Sequence, residues 1–157
     1  MKRLYPNLTD EKRTIKARKM FFSSVVKNIK QNPDFKNKEI VDYFSSLKNK
    51  YRLALITTNT KPALEKILSI TQFLGLFDII ETLEETEKDD KRAVFDRFVK
   101  KHGKPVIYIG GDKKDSYDYC KERNIYCIFA NLENQGEIEG IKSIPNRGEL
   151  KEKIDSL

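Results

Sequence analysis

A chain of 157 residues and 18.4 kDa, net charge +7, has room for one domain and little more. Hydrophobic residues make up 38% and charged residues 35%, a polar balance that still carries enough Ile, Leu, Val and Phe to exclude a disordered chain. No apolar run approaches the roughly 20 residues of a membrane span, and the opening MKRLYPNLTDEKR has no apolar core of the secretory type, so the expected compartment is the cytoplasm.

Charge is unevenly placed. Residues 1–50 hold 13 Lys/Arg against 5 Asp/Glu, whereas residues 51–157 hold 18 against 19. A basic segment of this kind attracts anionic partners, nucleic acid among them. Few aromatics interleave with the lysines and no nucleic-acid signature occurs, so a solvated lysine face is the preferred reading. Cys120 and Cys127 fit reduced thiols, and with His102 as the one histidine their spacing makes no metal motif.

In chain order, Asp10 and Glu11 open a helix over 10–30, with Ile15, Met20, Phe21, Val25, Val26 and Ile29 as its apolar stripe. Asn32-Pro33-Asp34 breaks it. A second helix over 38–49 is expected to bury Ile40, Val41, Tyr43, Phe44 and Leu47. The pattern then changes to strands alternating with helices. A strand over 51–56 runs into Thr57-Thr58-Asn59, Thr60 caps a helix with Pro62 in its first turn, and Gly75 ends that helix near Phe73. A short strand over 78–83, a helix over 90–102 closed by Gly103, a buried strand over 106–109, a helix over 115–123, a strand over 125–129, a weak strand over 141–144 and a closing helix from Gly148 follow. Such alternation implies right-handed crossovers and a parallel, doubly wound α/β sheet. Ligands of such sheets bind at the carboxyl ends of the strands, where Thr57 to Asn59 and Gly110-Gly111-Asp112 fall.

The order strand-Thr-Asn, helix, LGLFDII (residues 74–80), lysine-led helix and strand-Gly-Asp resembles the haloacid dehalogenase (HAD) superfamily of aspartate-nucleophile phosphohydrolases, in its phosphatase branch. The resemblance divides the chain into a helical segment, 1–37, like the tail of a cap, and an α/β core, 38–157. It implies Thr58 and Asn59 as phosphate ligands, with Thr57 the fallback if the register slips by one. Lys91 becomes the phosphate-binding ammonium, with Lys88 the runner-up, and Asp112 and Asp115 the acids that hold Mg²⁺. The acidic loop is irregular: the family places an acid four residues after the Asp of Gly-Asp, and four past Asp112 stands Ser116, whereas matching Gly110 to the motif's glycine puts Gly111 in the first acid place and Asp115 in the second. Asp118 is a further acid, expected to face solvent. Each residue also has a structural reading, with Thr-Thr-Asn-Thr as a helix cap and Gly-Gly-Asp as a turn whose glycines take positive φ and whose Asp115 caps the next helix.

The family's nucleophile motif, Asp-x-Asp at the end of an apolar strand, occurs nowhere in the 157 residues. RLYPNLTD (residues 3–10) echoes its shape with Arg3 and Tyr5 in the acid places. Three explanations are open: a fragment, one piece of a split enzyme completed by a strand or protein partner, or a degenerate member that binds without hydrolysing. The first two expect an open slot between the strands ending at Thr58 and Gly110, and the third expects those strands to pair or another segment of the chain to fill the slot. The expected function is a HAD-like phosphohydrolase, catalytically incomplete, taking a small phosphorylated ligand. The alternative is a binding or assembly module whose basic helix meets an anionic partner.

Overall fold

The computed structural model describes residues 1–32, 38–111, 113–132, 134 and 136–157. Two compact units form, Met1–Asp90 and Lys91–Leu157.

In the first unit, Thr9 starts helix α1 (Asp10–Gln31) by accepting from the Lys12 N–H at 3.3 Å, and Asn32 closes it by donating to the Asn28 carbonyl. The 3.6-residue turn places Ile15, Phe22, Val25, Val26 and Ile29 on its half-buried side, against helix α3 (Lys61–Thr71). Met20 and Phe21, expected in that stripe, lie off it: Phe21 is 67% exposed. Arg18 reaches the loop that follows strand β2 (Ile79–Leu83), donating to the Glu85 carbonyl at 2.7 Å and the Glu87 carbonyl at 2.6 Å. Helix α2 (Lys38–Leu47) presents the expected apolar face, yet Ile40, Val41, Tyr43, Phe44 and Leu47 are only half-buried. The break expected at Pro33 and Asp34 lies outside the described residues.

Strand β1 (Ala54–Thr60) pairs in parallel with β2 and begins three residues later than the sequence pattern implies. Residues 51–53 are instead pinned by the Asp of LGLFDII. Asp78 accepts from the Leu53 N–H at 2.8 Å, its own N–H donates to the Leu53 carbonyl, and Lys48 pairs with its other oxygen at 3.0 Å. The α3 helix ends on Gln72 in the left-handed region, φ 61°, and Gly75 follows at φ 81°. Leu64, Leu68, Thr71 and Leu83 are buried in this unit.

The second unit carries a parallel sheet of order β3 (Tyr108–Gly110), β4 (Cys127–Ala130), β5 (Ser143–Ile144), with helices α4 (Lys91–His102), α5 (Lys114–Glu122) and α6 (Arg147–Asp155). Gly103, φ 84°, closes α4, and Asn146 caps α6 by accepting from the Glu149 N–H at 2.9 Å. Strand β3 is shifted from its expected place: Val106 is 67% exposed, and the ladder starts at Tyr108. The reason is the packing of Tyr108. Its ring meets Phe95 of α4 edge-on at 5.0 Å and Tyr117 of α5 at 5.9 Å, while Phe95 stacks on Tyr119 at 4.6 Å and Tyr117 meets Phe129 at 6.1 Å. Five rings thus run as one chain through α4, β3, α5 and β4, and four of them are essentially fully buried. Burial at about 25 cal/mol per Å², plus about 0.5–1.5 kcal/mol for each well-oriented pair, makes this chain the main cohesive element of the unit.

Both sheets are parallel and their strands alternate with helices, the expected α/β pattern. β1 and β3 are each an edge strand of their own sheet. Among the described residues, no helix is long and apolar enough to cross a membrane.

Candidate functional site

The first candidate element is the end of β1. Its ladder with β2 is regular from Ala54 to Ile56 and then breaks, so that Thr57, Thr58 and Asn59 together oppose the single residue between Glu81 and Leu83. Such a bulge bends a strand and re-aims its side chains. What holds it is local: Thr57 Oγ1 accepts from the Asn59 N–H and from Asn59 Nδ2, both at 3.1 Å. This Thr-x-Asn turn is a residue pair that the sequence spacing shows once it is read for side-chain-to-backbone bonds. It assigns different parts to the two threonines. Thr57 has its hydroxyl engaged in the turn, whereas the half-buried Thr58 hydroxyl makes no hydrogen bond to a described residue.

The strand leads straight into α3. Thr60 occupies the N-cap position, but its side chain makes no capping bond, contrary to the capping role read from the sequence. The first-turn N–H groups of α3, less the one that Pro62 lacks, are therefore left without that side-chain acceptor, and the helix dipole favours an anion beside them. Asn59 spends one amide proton on Thr57 and has a second to donate.

The second candidate element is the β3–α5 loop. Gly110 does not have positive φ; it is required for room. A Cβ there would lie 2.7–2.9 Å from Tyr108 ring atoms. Gly111 is held through its carbonyl, which accepts from the buried Tyr117 hydroxyl at 2.6 Å. Asp112 lies outside the described residues. The cap position of α5 falls to Lys113 with no side-chain bond, so Asp115 is an exposed residue of the first turn and not the cap. Asp118 pairs with Lys114 at 2.9 Å, one turn away. Ser116, in the place where the family pattern wants an acid, is 2% exposed, and its buried hydroxyl has no hydrogen-bond partner among the described residues. The irregular loop is thus resolved by packing: the residue four past Asp112 points into the unit, and the acid next to it points out.

Lys91 opens α4, half-buried, with Phe95 one turn on fixing the helix on the aromatic chain; Lys88 is exposed in the preceding loop. Thr58 and Asn59 belong to the first unit, and Lys91 and Asp115 to the second.

Of the acids expected to hold Mg²⁺, the described residues supply Asp115 alone, with Lys113 and Lys114 beside it. Among the described residues no three His, Cys, Asp or Glu side chains gather as a metal site. The thiols offer no alternative chemistry. Burial pushes Cys120 up to about 12 and raises Cys127 as well, which keeps both protonated and unreactive. Tyr117 and Tyr108 were not expected as loop-setting residues; the apolar spacing of α5 and the run Val106–Gly110 carried the signal as packing.

No curated protein matches the chain. Among solved structures, a predicted phosphatase from Clostridium acetobutylicum is similar with TM-score 0.62 and 21% identity over 77% of this chain. The chain spans 60% of the length of that protein. YfnB of Bacillus subtilis, a HAD-hydrolase by assignment and crystallised with magnesium, is similar with TM-score 0.59 and 14% identity over 94% of this chain and 84% of its own. At these identities the two structures speak for the fold. The family model for haloacid dehalogenase-like hydrolases matches residues 1–130, more than four fifths of the sequence, and the chain belongs to that family.

Proposed function

We propose that this chain is a phosphohydrolase-type core that holds a phosphate group without hydrolysing phosphate esters by itself. The observation that carries the reading is an asymmetry: hydrogen-bond donors suited to a phosphate lie at the end of β1, and no Asp-x-Asp occurs in the sequence to attack. Displacement at phosphorus through an enzyme ester needs a carboxylate nucleophile and an acid to protonate the leaving oxygen. Thr58 supplies a hydroxyl not engaged by a described residue, Asn59 one amide proton, and α3 its first-turn N–H groups. Those are hydrogen-bond donors, and none can form the covalent bond. Lys91, with Lys88 as second choice, is the ammonium that the family resemblance asks for. Mg²⁺ would supply charge neutralisation of phosphoryl oxygens where it binds. The reading itself rests on the donors of Thr58, Asn59 and α3.

A small phosphorylated molecule in the cytoplasm is the ligand class. A specific observation favours a second reading, completion by a partner strand: among the described residues β1 and β3 are each an edge strand of their own sheet. In this reading residues 1–37 are the cap-like segment and 38–157 the core.

The test is a fluorogenic phosphate ester assay with Mg²⁺, run beside isothermal titration with inorganic phosphate. The expected result is no turnover above the blank, together with phosphate binding that weakens at least fivefold in Thr58→Val. Mg²⁺-dependent turnover by the 157-residue chain, lost in Asp112→Asn or Asp115→Asn, overturns the reading. Absence of phosphate binding removes its first half.

A further inference from the structure

Residues 1–32 carry nine Lys/Arg against two Asp/Glu, so their excess of +7 equals that of the entire chain. Helix α1 sorts this charge by face. At about 100° per residue, Lys12, Lys16, Lys19, Lys27 and Lys30 fall within about 80° of one another, with Ser23 filling the gap in the row. All six are exposed. The row is about 27 Å long at 1.5 Å per residue and contains no acid. The acids of α1 stand elsewhere, Glu11 off the row and Asp10 paired with Arg13 at 2.7 Å. None of the five lysines makes an ion pair with a described residue; Lys16 Nζ lies 4.4 Å from the Tyr5 ring centre. Arg18, on the other side, is spent on the loop carbonyls of Glu85 and Glu87, which fixes the helix with the row outward.

We propose that this lysine row is a docking surface for a nucleic-acid backbone, read by charge and without base specificity. A straight file of ammonium groups suits a straight polyanion. Duplex DNA offers about one phosphate charge per 1.7 Å of axis, or about 16 along the length of the row. An anionic membrane is the less suitable partner. An interfacial helix sets its cations at the border of an apolar face that enters the lipid. Here the most exposed apolar residue of α1, Phe21, lies about 120–180° around the helix from every lysine of the row, so one flat surface cannot take both. Phosphate contacts need no such face, and the inference stands independently of any phosphate held at Thr58.

The experiment is fluorescence anisotropy with a fluorescein-labelled 25-base-pair duplex and a single-stranded RNA of equal length, from 50 to 200 mM KCl. Five engaged lysines predict a log–log salt slope of about −4.5 on the duplex, a loss of about 500-fold across that range, and a slope of about −3.5 on the single strand. Replacing Lys12, Lys16, Lys19, Lys27 and Lys30 by Gln, with far-UV circular dichroism unchanged, is expected to weaken binding at least 100-fold at 50 mM KCl. A control replacing Lys50, Lys66, Lys100, Lys104 and Lys142 by Gln has the same net charge and should bind within threefold of the parent. Equal loss in the two variants, or no binding by the parent, overturns the proposal. So does binding to phosphatidylserine vesicles without binding to either nucleic acid.

Discussion

Gly110→Ala is the most informative single change in the acidic loop, because the reason for the glycine is steric. The added Cβ would meet Tyr108 Cε1 at 2.7 Å, its hydroxyl at 2.8 Å and Cζ at 2.9 Å. Ordinary carbon contacts begin near 3.5 Å, so the ring must retreat by about 0.8 Å. It has little room to do so, since Phe95 lies 5.0 Å away and Tyr117 5.9 Å away, edge-on to it. Overpacking of that kind costs about 1–3 kcal/mol. Against it stands about 0.4–1 kcal/mol gained by removing a glycine from the unfolded chain where φ is compatible. The net expectation is a destabilisation of about 1–2 kcal/mol, or a fall in Tm of about 2–8 °C for a chain of this size.

Urea denaturation with circular dichroism measures the loss, and a cycle with Tyr108→Leu locates its cause. Without the ring, Gly110→Ala should be neutral or stabilising by up to about 0.5 kcal/mol, which gives a coupling energy of about 1.5 kcal/mol or more. If Gly110→Ala melts at or above the parent, or if the coupling is under about 0.5 kcal/mol, the ring moves aside freely. The glycine is then not explained by packing.

Three further outcomes follow from the same contacts. Tyr117→Phe removes the bond to the Gly111 carbonyl and should cost about 1 kcal/mol in urea denaturation, with faster amide exchange in residues 110–111; unchanged exchange means the loop is held by something else. Asp78 is held below the ordinary carboxylate value of 3.8, first by the Leu53 N–H and then by Lys48, so its contribution is present above that value and lost as pH falls through the lowered one. Asp78→Asn should therefore flatten the acid limb of the stability curve between pH 4 and 2, and an unchanged limb refutes the assignment. Cys120, pushed up to about 12 by burial, should resist a thiol reagent at pH 8 in the native protein and react within the dead time in 6 M urea. Its sign at high pH is the reverse of Asp78: stability is present below the ordinary value of 9.0 and falls as pH rises through about 12.

Element type and order were legible in the sequence because periodicity and punctuation agree locally. Pro62, Gly75 and Gly103 mark where α3 and α4 start and stop, and the switch from a helical to a continuous apolar pattern near residue 51 marks where the sheet begins. Strand boundaries were not legible, since they depend on partners. Residues 51–53 are extended and apolar enough for a strand, but Asp78 ties Leu53 just ahead of the ladder. Val106 belongs to the most apolar run of the second unit and is exposed, because the ladder position is set by where Tyr108 fits between Phe95 and Tyr117.

The site follows the same division. Thr57, Thr58 and Asn59 were legible as polar residues at a strand end, but which threonine is spent on the turn depends on a two-residue hydrogen bond that no composition or period encodes. The acidic loop shows the physical limit more sharply. Counting places Ser116 at the expected acid position and Asp115 one residue before it, and on a helix one residue is about 100° of rotation. Burial decides between them. Tyr117, Tyr119 and Cys120 turn that side of α5 inward and take Ser116 with them, so Asp115 is left in water. An acid at position 116 would be buried beside the Tyr108 hydroxyl, and a carboxylate there would cost several kcal/mol unless a cation came with it. The serine is therefore the residue this packing tolerates, and restoring the family's acid by Ser116→Asp alone should destabilise the chain and not repair it.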